Sequence, residues 1–216
     1  VSFKHTVIED DVMIGAHALV YGGCIIKRGA VVYGGAVVRP NTVIGSAIGD
    51  SFGVAPGAEW IAAGVVDQGA DLNTTFSHIL SAFEWALNPD DDPLTTDDVP
   101  DVILNSWGVP TIQPSVIAPC SSLFWQAIDN VEAAGVVVIF AACNEGKLGP
   151  ATVRNQANRA TTTYNAFSVG AVDGNRVIAD FSGRGPSSCD PTQIKPEVVA
   201  PGVSIRSSTK GGAYTY

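Results

Sequence analysis

Hydrophobic positions recur every six residues along the first part of the chain. Ile8, Ile14, Val20, Ile26, Val32, Val38 and Ile44 share one phase, and each follows a second aliphatic side chain: Val7, Met13, Leu19, Ile25, Val31, Val37 or Val43. Four residues after each phase position, from Val12 on, come Ala18, Cys24, Ala30, Ala36 and Thr42, which are mostly small. Such a period predicts a coil of short flat strands and tight turns, with one large and one small side chain per turn in a narrow interior. Paired glycines at Gly22-Gly23 and Gly34-Gly35 let the backbone turn at the corners.

The rest of the chain alternates helical and extended patterns. Thr74 to Leu87 places Phe76, Ile79, Leu80, Phe83 and Leu87 on one helical face, with Asn73 as the expected N-cap. Asp101 to Trp107 reads as a buried strand. Ser121 to Ala134 reads as a second helix, with Leu123, Ala127, Ile128, Val131 and Ala134 inward and Gly135 as its stop. Val136 to Ala142 is a continuous apolar run, as expected of a strand covered on both faces. Ala166 to Val172 and Glu197 to Ala200 are shorter strand candidates. Strands alternating with helices imply an α/β fold around a parallel sheet with right-handed crossovers.

Composition narrows the partners. The 216 residues are 46% apolar and 15% charged, with a net charge of −9. So acidic a surface repels phosphate backbones and anionic lipid, which argues against nucleic acid and membrane partners. The longest apolar run, Val136 to Cys143, is too short to span a bilayer. The chain begins with Val1 and stops within a patterned segment ending at Tyr216, so both ends read as cuts. The loop from Asn88 to Asp101 carries Asp90, Asp91, Asp92, Asp97, Asp98 and Asp101. Calcium takes carboxylate oxygens, but no EF-hand spacing is present, and a solvated acidic loop is the simpler expectation, with no cofactor. Cys24, Cys120, Cys143 and Cys189 form no C-x-x-C pair, and with three histidines they predict no metal site. Cys120 and Cys189 lie in loop-like stretches, where an oxidising compartment would let them pair, but four free thiols is the simpler expectation.

The string Val138-Ile139-Phe140-Ala141-Ala142-Cys143-Asn144-Glu145-Gly146 ends a buried strand in a polar turn. Ligands gather at the carboxyl ends of parallel strands. The string resembles the strand end of subtilisin-like serine peptidases (subtilases) that supplies the oxyanion-hole asparagine, here Asn144. Gly53-Val54-Ala55-Pro56-Gly57-Ala58, Asn105-Ser106-Trp107-Gly108, Asp180-Phe181-Ser182-Gly183-Arg184-Gly185-Pro186 and Lys195-Pro196-Glu197-Val198-Val199-Ala200-Pro201-Gly202 resemble further family segments, in the family's order. The style is closest to bacillopeptidase F-like secreted bacterial subtilases. The resemblance implies a subtilisin-like three-layer core, incomplete, over residues 47–216, an extracellular location and a peptide or protein substrate. It also implies that Ser106, Trp107 and Gly108 on one side, and Ala141, Ala142 and Cys143 on the other, hold that substrate. The segment of residues 1–46, with its period over 7–46, resembles the hexapeptide-repeat left-handed β-helix of acyltransferases and γ-class carbonic anhydrases. At three hexads per coil this makes little over two coils, a stack expected to be weak alone.

Departures from the subtilase pattern shape the expected activity. The family's D-T/S-G and H-G-T-H strings are absent, and its G-T-S-M-A nucleophile is expected just beyond Tyr216. Without serine and base, acyl transfer lacks an activated nucleophile, so the chain is expected to be an inactive endopeptidase fragment. Cys143 stands where the family has a pocket-lining glycine. A thiol there narrows the pocket, or strains the backbone if φ is positive; a reactive cysteine is the alternative, but no base is evident. Two other readings stand beside this one. One takes the repeat as a trimeric scaffold or the remnant of an acyltransferase, for which His17 is the candidate base, although a surface histidine at a coil corner is the simpler expectation; a carbonic anhydrase needs three zinc histidines, and only His5 and His17 are near. Alternatively the chain is a non-catalytic module holding extended peptides, and its open edges favour self-association.

Overall fold

The structure, a computed structural model, describes residues 7–8, 13–14, 19–20, 25–26, 31–32, 37–38, 54–55, 58–65, 71–109, 118, 120–161, 166–208 and 214–215. It forms two compact units, Val1–Val99 with Ile205–Tyr216, and Pro100–Ser204. The expected boundary at residues 46/47, the junction from Gly45 to Gly53, His5, His17, Cys24 and the paired coil glycines lie outside the described residues.

In the first unit the six-residue period becomes six two-residue strands. They are β1 (Val7–Ile8), β2 (Met13–Ile14), β3 (Leu19–Val20), β4 (Ile25–Ile26), β5 (Val31–Val32) and β6 (Val37–Val38). Pairing is parallel: Val7 faces Ile25, Met13 faces Val31 and Leu19 faces Val37. Each offset is 18 residues (25 − 7, 31 − 13, 37 − 19), so three hexads complete one turn of the coil.

Helix α1 (Leu72–Trp85) follows. Its N-cap is Asp71, not the expected Asn73: the Asp71 carboxylate accepts from the Thr74 amide at 3.0 Å. Asn73 lies inside the first turn, where its carbonyl accepts from the Ser77 hydroxyl at 3.0 Å. Ile79 and Phe83, one helical turn apart, are buried. In the acidic loop the carboxylates fold the loop itself. Asp90 accepts from the Asp92 amide at 2.9 Å and the Thr95 hydroxyl at 2.8 Å, and Asp98 accepts from the Asp90 amide at 3.0 Å. Among the described residues no group of three or more His, Cys, Asp or Glu is placed to hold a metal ion. A short antiparallel pair, β11 (Ser207–Ser208) with β12 (Tyr214–Thr215), closes this unit.

The second unit is a parallel sheet of β7 (Val102–Asn105), β8 (Val137–Ala141), β9 (Phe167–Val172) and β10 (Val198–Pro201), in the order β10-β9-β8-β7. Helix α2 (Trp125–Ala133) connects β7 to β8 and starts four residues later than the expected Ser121. The Ser121 hydroxyl instead accepts from the Leu123 amide, which leaves Leu123 exposed and turns Phe124 fully inward. Ala134, expected inward, is exposed. Gly135 ends the helix at φ +95, the left-handed conformation glycine adopts without a Cβ clash. Its amide bonds the Glu132 carbonyl at 3.0 Å and the next amide, of Val136, bonds the Val131 carbonyl at 3.3 Å, the paired closure of a Schellman end.

Packing of the sheet is one-sided. Ile128 and Val131 of α2, with Val138 and Phe140 of β8, are buried, whereas Val102, Leu104 and Val137 on the opposite face are 46%, 62% and 50% exposed. The expectation of strands buried on both faces is therefore corrected for β7 and β8. In this unit α2 packs on β8 from one side, and alternate side chains of a strand point to opposite faces.

Candidate active site

The carboxyl end of β8, an interior strand, delivers the polar turn. Asn144 is exposed there, directly after the half-buried Cys143 and the buried Ala142. Three main-chain bonds hold this turn: Ala142 amide to Val169 carbonyl at 2.9 Å, Gly183 amide to Cys143 carbonyl at 2.9 Å, and Gly146 amide to Phe181 carbonyl at 2.8 Å. The backbones touch so closely that a Cβ on Gly183 would lie 2.1 Å from the Ala142 oxygen, and one on Gly146 1.9 Å from the Ser182 oxygen. Asn144 thus rides on a loop fixed by its neighbour, residues 181–183.

The end of β7 forms the other lip. Asn105 is buried; its amide donates to the Ile139 carbonyl at 3.2 Å and its oxygen accepts from the Trp107 indole at 3.1 Å. Trp107 stands edge-on to Phe124 at 5.7 Å and Phe140 at 5.5 Å, so its ring anchors the lip to the core. Ser106 is exposed and Gly108 half-buried. Gly108 meets the β8 lip: a Cβ placed on it would lie 3.3 Å from the Cys143 Sγ and 2.8 Å from the Arg154 Cβ. The next residue, Val109, exchanges main-chain bonds of 3.1 and 3.0 Å with Asn155. The structure therefore brings Gly108, Cys143 and the Asn144 turn into one constellation.

Two side chains that had no assigned role complete it. Arg154 donates through Nε to Glu145 Oε2 at 2.8 Å and through NH2 to Glu145 Oε1, and its NH1 reaches the Gly108 carbonyl at 3.0 Å. Glu145 Oε2 also accepts from the Asn144 amide at 3.1 Å. Burial alone would push the Glu145 carboxyl up; the bonds and charge of Arg154 outweigh it and hold the group below the ordinary carboxylate value. Arg154 was invisible in the sequence because nothing in a loop 9 residues past Glu145 and 46 past Gly108 signals that it folds back onto both.

Cys143 has φ +65, so the backbone does require the positive angle that glycine supplies without strain. Its thiol donates weakly to the Ala141 carbonyl at 3.5 Å. Burial pushes the thiol up to about 11, with Arg154 opposing and Glu145 adding to the rise. Residues 100–204 contain no histidine. A thiol so protonated is a poor nucleophile at neutral pH.

Away from the lips, the expectation of four free thiols is corrected: the fold brings the Cys120 and Cys189 loops together, with Cα atoms 5.3 Å apart, and the two are disulfide-bonded. Lys195 is buried, pairs with Glu197 and donates to the Ala166 carbonyl at 3.4 Å, while Glu197 accepts from the Ser168 amide at 2.8 Å and hydroxyl at 2.5 Å. A cavity of about 810 Å³ lies between residues 146–150 and 178–185. Its walls include Lys147, Asp180 and Arg184 but neither Asn144 nor any residue expected to hold substrate, so the candidate chemistry lies elsewhere.

The Subtilase family model matches residues 27–216, and the bacterial transferase hexapeptide model, six repeats, matches residues 5–40. Bacillopeptidase F of Bacillus subtilis (strain 168) is 37% identical over 170 residues, covering 76% of this chain and 11% of that protein. Subtilisin DY of Bacillus licheniformis is 33% identical over 163 residues, covering 76% of this chain and 48% of that protein. The chain thus spans less than half the length of these curated relatives. Among solved structures, the self-cleaved protease domain of PatA matches with a TM-score of 0.59 at 18% identity, covering 100% of this chain and 74% of that one. The prenylagaramide maturation protease PagA matches at 0.56 and 18%, covering 99% and 68%. A subtilase match over 190 residues (216 − 27 + 1), carried by relatives of that name and by the parallel sheet with its Asn144 turn, shows that this chain belongs to the subtilase family.

Proposed function

We propose that residues 47–216 are part of a serine endopeptidase domain that cleaves peptide bonds through an acyl-enzyme. In this reading Asn144 donates its side-chain amide to the oxyanion of the tetrahedral intermediate. Ser106, Trp107 and Gly108 line one wall of the peptide cleft, and Ala141, Ala142 and Cys143 line the other. The observation that carries it is the exposed Asn144 at the carboxyl end of an interior parallel strand, on a turn locked by residues 181–183. A preorganised donor contributes because it reorients nothing as charge develops; in a subtilisin, removal of one such donor costs about 3–4 kcal/mol. The chain contains no H-G-T-H and no G-T-S string, so these residues supply oxyanion and peptide recognition but no activated nucleophile. Incubation with a fluorophosphonate probe tests this: the chain is expected to stay unlabelled, and covalent labelling of any serine would overturn the inactive reading.

A second reading concerns the first unit. Parallel pairing at an offset of three hexads, with the hexapeptide match over residues 5–40, supports a role for the coil in self-association, including as a trimer. Sedimentation equilibrium showing a monomer at micromolar concentration would exclude it. The disulfide between Cys120 and Cys189 supports an extracellular setting, because oxidising compartments preserve such bonds. No helix among the described residues is long and apolar enough to cross a membrane.

A further inference from the structure

The pair Arg154–Glu145 occupies the gap between the two lips. Arg154 contacts both sides at once: its stem packs on Gly108, its NH1 holds the Gly108 carbonyl at 3.0 Å, and its Nε and NH2 hold Glu145. From the β8 side Cys143 adds its sulfur toward Gly108. A wide aromatic side chain entering between Gly108 and Cys143 meets the sulfur and the arginine stem. A cationic side chain meets the guanidinium, and the one nearby carboxylate is already engaged by Arg154 and by the Asn144 amide.

Guanidinium carries five N–H donors. Glu145 takes Nε and one NH2 hydrogen, the side-on fork, and the Gly108 carbonyl takes one NH1 hydrogen. One hydrogen on NH1 and one on NH2 are left over. Of the two side chains Arg154 is the more open, 27% exposed against 15% for Glu145. The face the pair offers to solvent is therefore a donor face, and a second carboxylate fits it.

We infer that Arg154 is a specificity-determining residue of the cleft and selects a substrate side chain bearing a carboxylate, aspartate or glutamate, over aromatic and cationic ones. This rests on the peptide cleft proposed above. Glu145 acts as the brake on that selectivity, because it shares the arginine's charge.

The test is titration of the ¹⁵N-labelled chain with capped tetrapeptides that differ only in the last residue, Glu, Phe or Lys, followed through the amide signals of Gly108 and Asn144. The Glu peptide is expected to bind about five- to tenfold tighter than the other two at low salt, with the advantage shrinking at about 0.5 M salt. Glu145→Gln is expected to widen the advantage and Arg154→Ala to abolish it; for each variant a retained amide spectrum shows an intact fold. A preference for Phe or Lys in the native chain, or a Glu preference unchanged in Arg154→Ala, overturns the inference while leaving the cleft in place. Failure of all three peptides to shift either amide overturns the cleft reading and the inference with it.

Discussion

Replacing Cys143 by glycine has an effect whose size depends on pH. Two opposing changes nearly cancel at neutral pH. A non-glycine residue at φ +65 carries about 1–2 kcal/mol of strain, which glycine removes. Glycine in turn loses about 0.5–1 kcal/mol to the greater freedom of its unfolded chain, and the weak Sγ bond to Ala141 is given up. The net change at pH 7 is therefore within about 1 kcal/mol. At alkaline pH the balance shifts. The buried thiol titrates near 11 in the folded chain, against 9.0 when unperturbed. A folded value above the unfolded one means that the folded state holds a proton the unfolded state has released. Stability from this group is complete below pH 9.0 and lost as pH rises toward 11. Two pH units correspond to about 2.7 kcal/mol, of which about 2 kcal/mol is gone by roughly pH 10.5. Denaturant unfolding of native chain and Cys143→Gly at pH 8 and pH 10.5 isolates the thiol, because lysines and tyrosines titrate alike in both. The native chain is expected to lose about 2 kcal/mol more than the variant. Parallel losses in the two proteins would refute the assignment of a buried, protonated thiol.

Further outcomes follow from the same contacts. Gly183→Ala forces a Cβ to within 2.1 Å of the Ala142 oxygen, so chemical unfolding is expected to show a loss of about 3 kcal/mol or more. Lys195→Met leaves the Glu197 carboxylate, only 13% exposed, without its cation and is expected to cost about 3 kcal/mol; Glu197→Gln in the same chain should restore a large part, as a double-mutant cycle would show. Reducing the Cys120–Cys189 bond, which closes a separation of 69 residues, is expected to lower stability by about 4 kcal/mol on the chain-entropy account, measurable as a lower melting temperature in dithiothreitol. Glu145, held below the ordinary carboxylate value of 4.5, gives stability that is present above pH 4.5 and is lost as pH falls through its folded value. Glu145→Gln should therefore flatten the acid limb of a stability profile, and an unchanged limb would exclude the pairing with Arg154.

Much of the architecture was legible because it repeats or alternates. A six-residue aliphatic period marks the coil, and its resemblance to coils of three hexads anticipates the pairing of Val7 with Ile25 and of Met13 with Val31. The end of α2 was readable because Gly135 meets a backbone demand few other residues satisfy. The start of α1 was not: Asp71 and Asn73 are both good caps, and only coordinates show which oxygen reaches the Thr74 amide. The exposed face of β7 was also hidden, since Val102 and Leu104 look the same in sequence whether or not anything covers them. At the candidate site, a polar turn after a buried strand marked Asn144. Arg154 came together with Gly108 and Glu145 only through tertiary structure, across 46 and 9 residues.

The close backbone seam between residues 142–146 and 181–183 separates two kinds of heritable variation. On the reading proposed above, the turn that carries Asn144 is pinned mainly by main-chain carbonyls and amides common to every amino acid, and the Arg154–Glu145 pair adds one side-chain bond to the Asn144 amide, so substitutions at Cys143 or Arg154 would alter the gap while most of the turn's anchorage remains. A mutational library over this region should accordingly tolerate more change at 143 and 154 than at Gly146 and Gly183, so that the side chains lining the gap diversify on an unmoving scaffold.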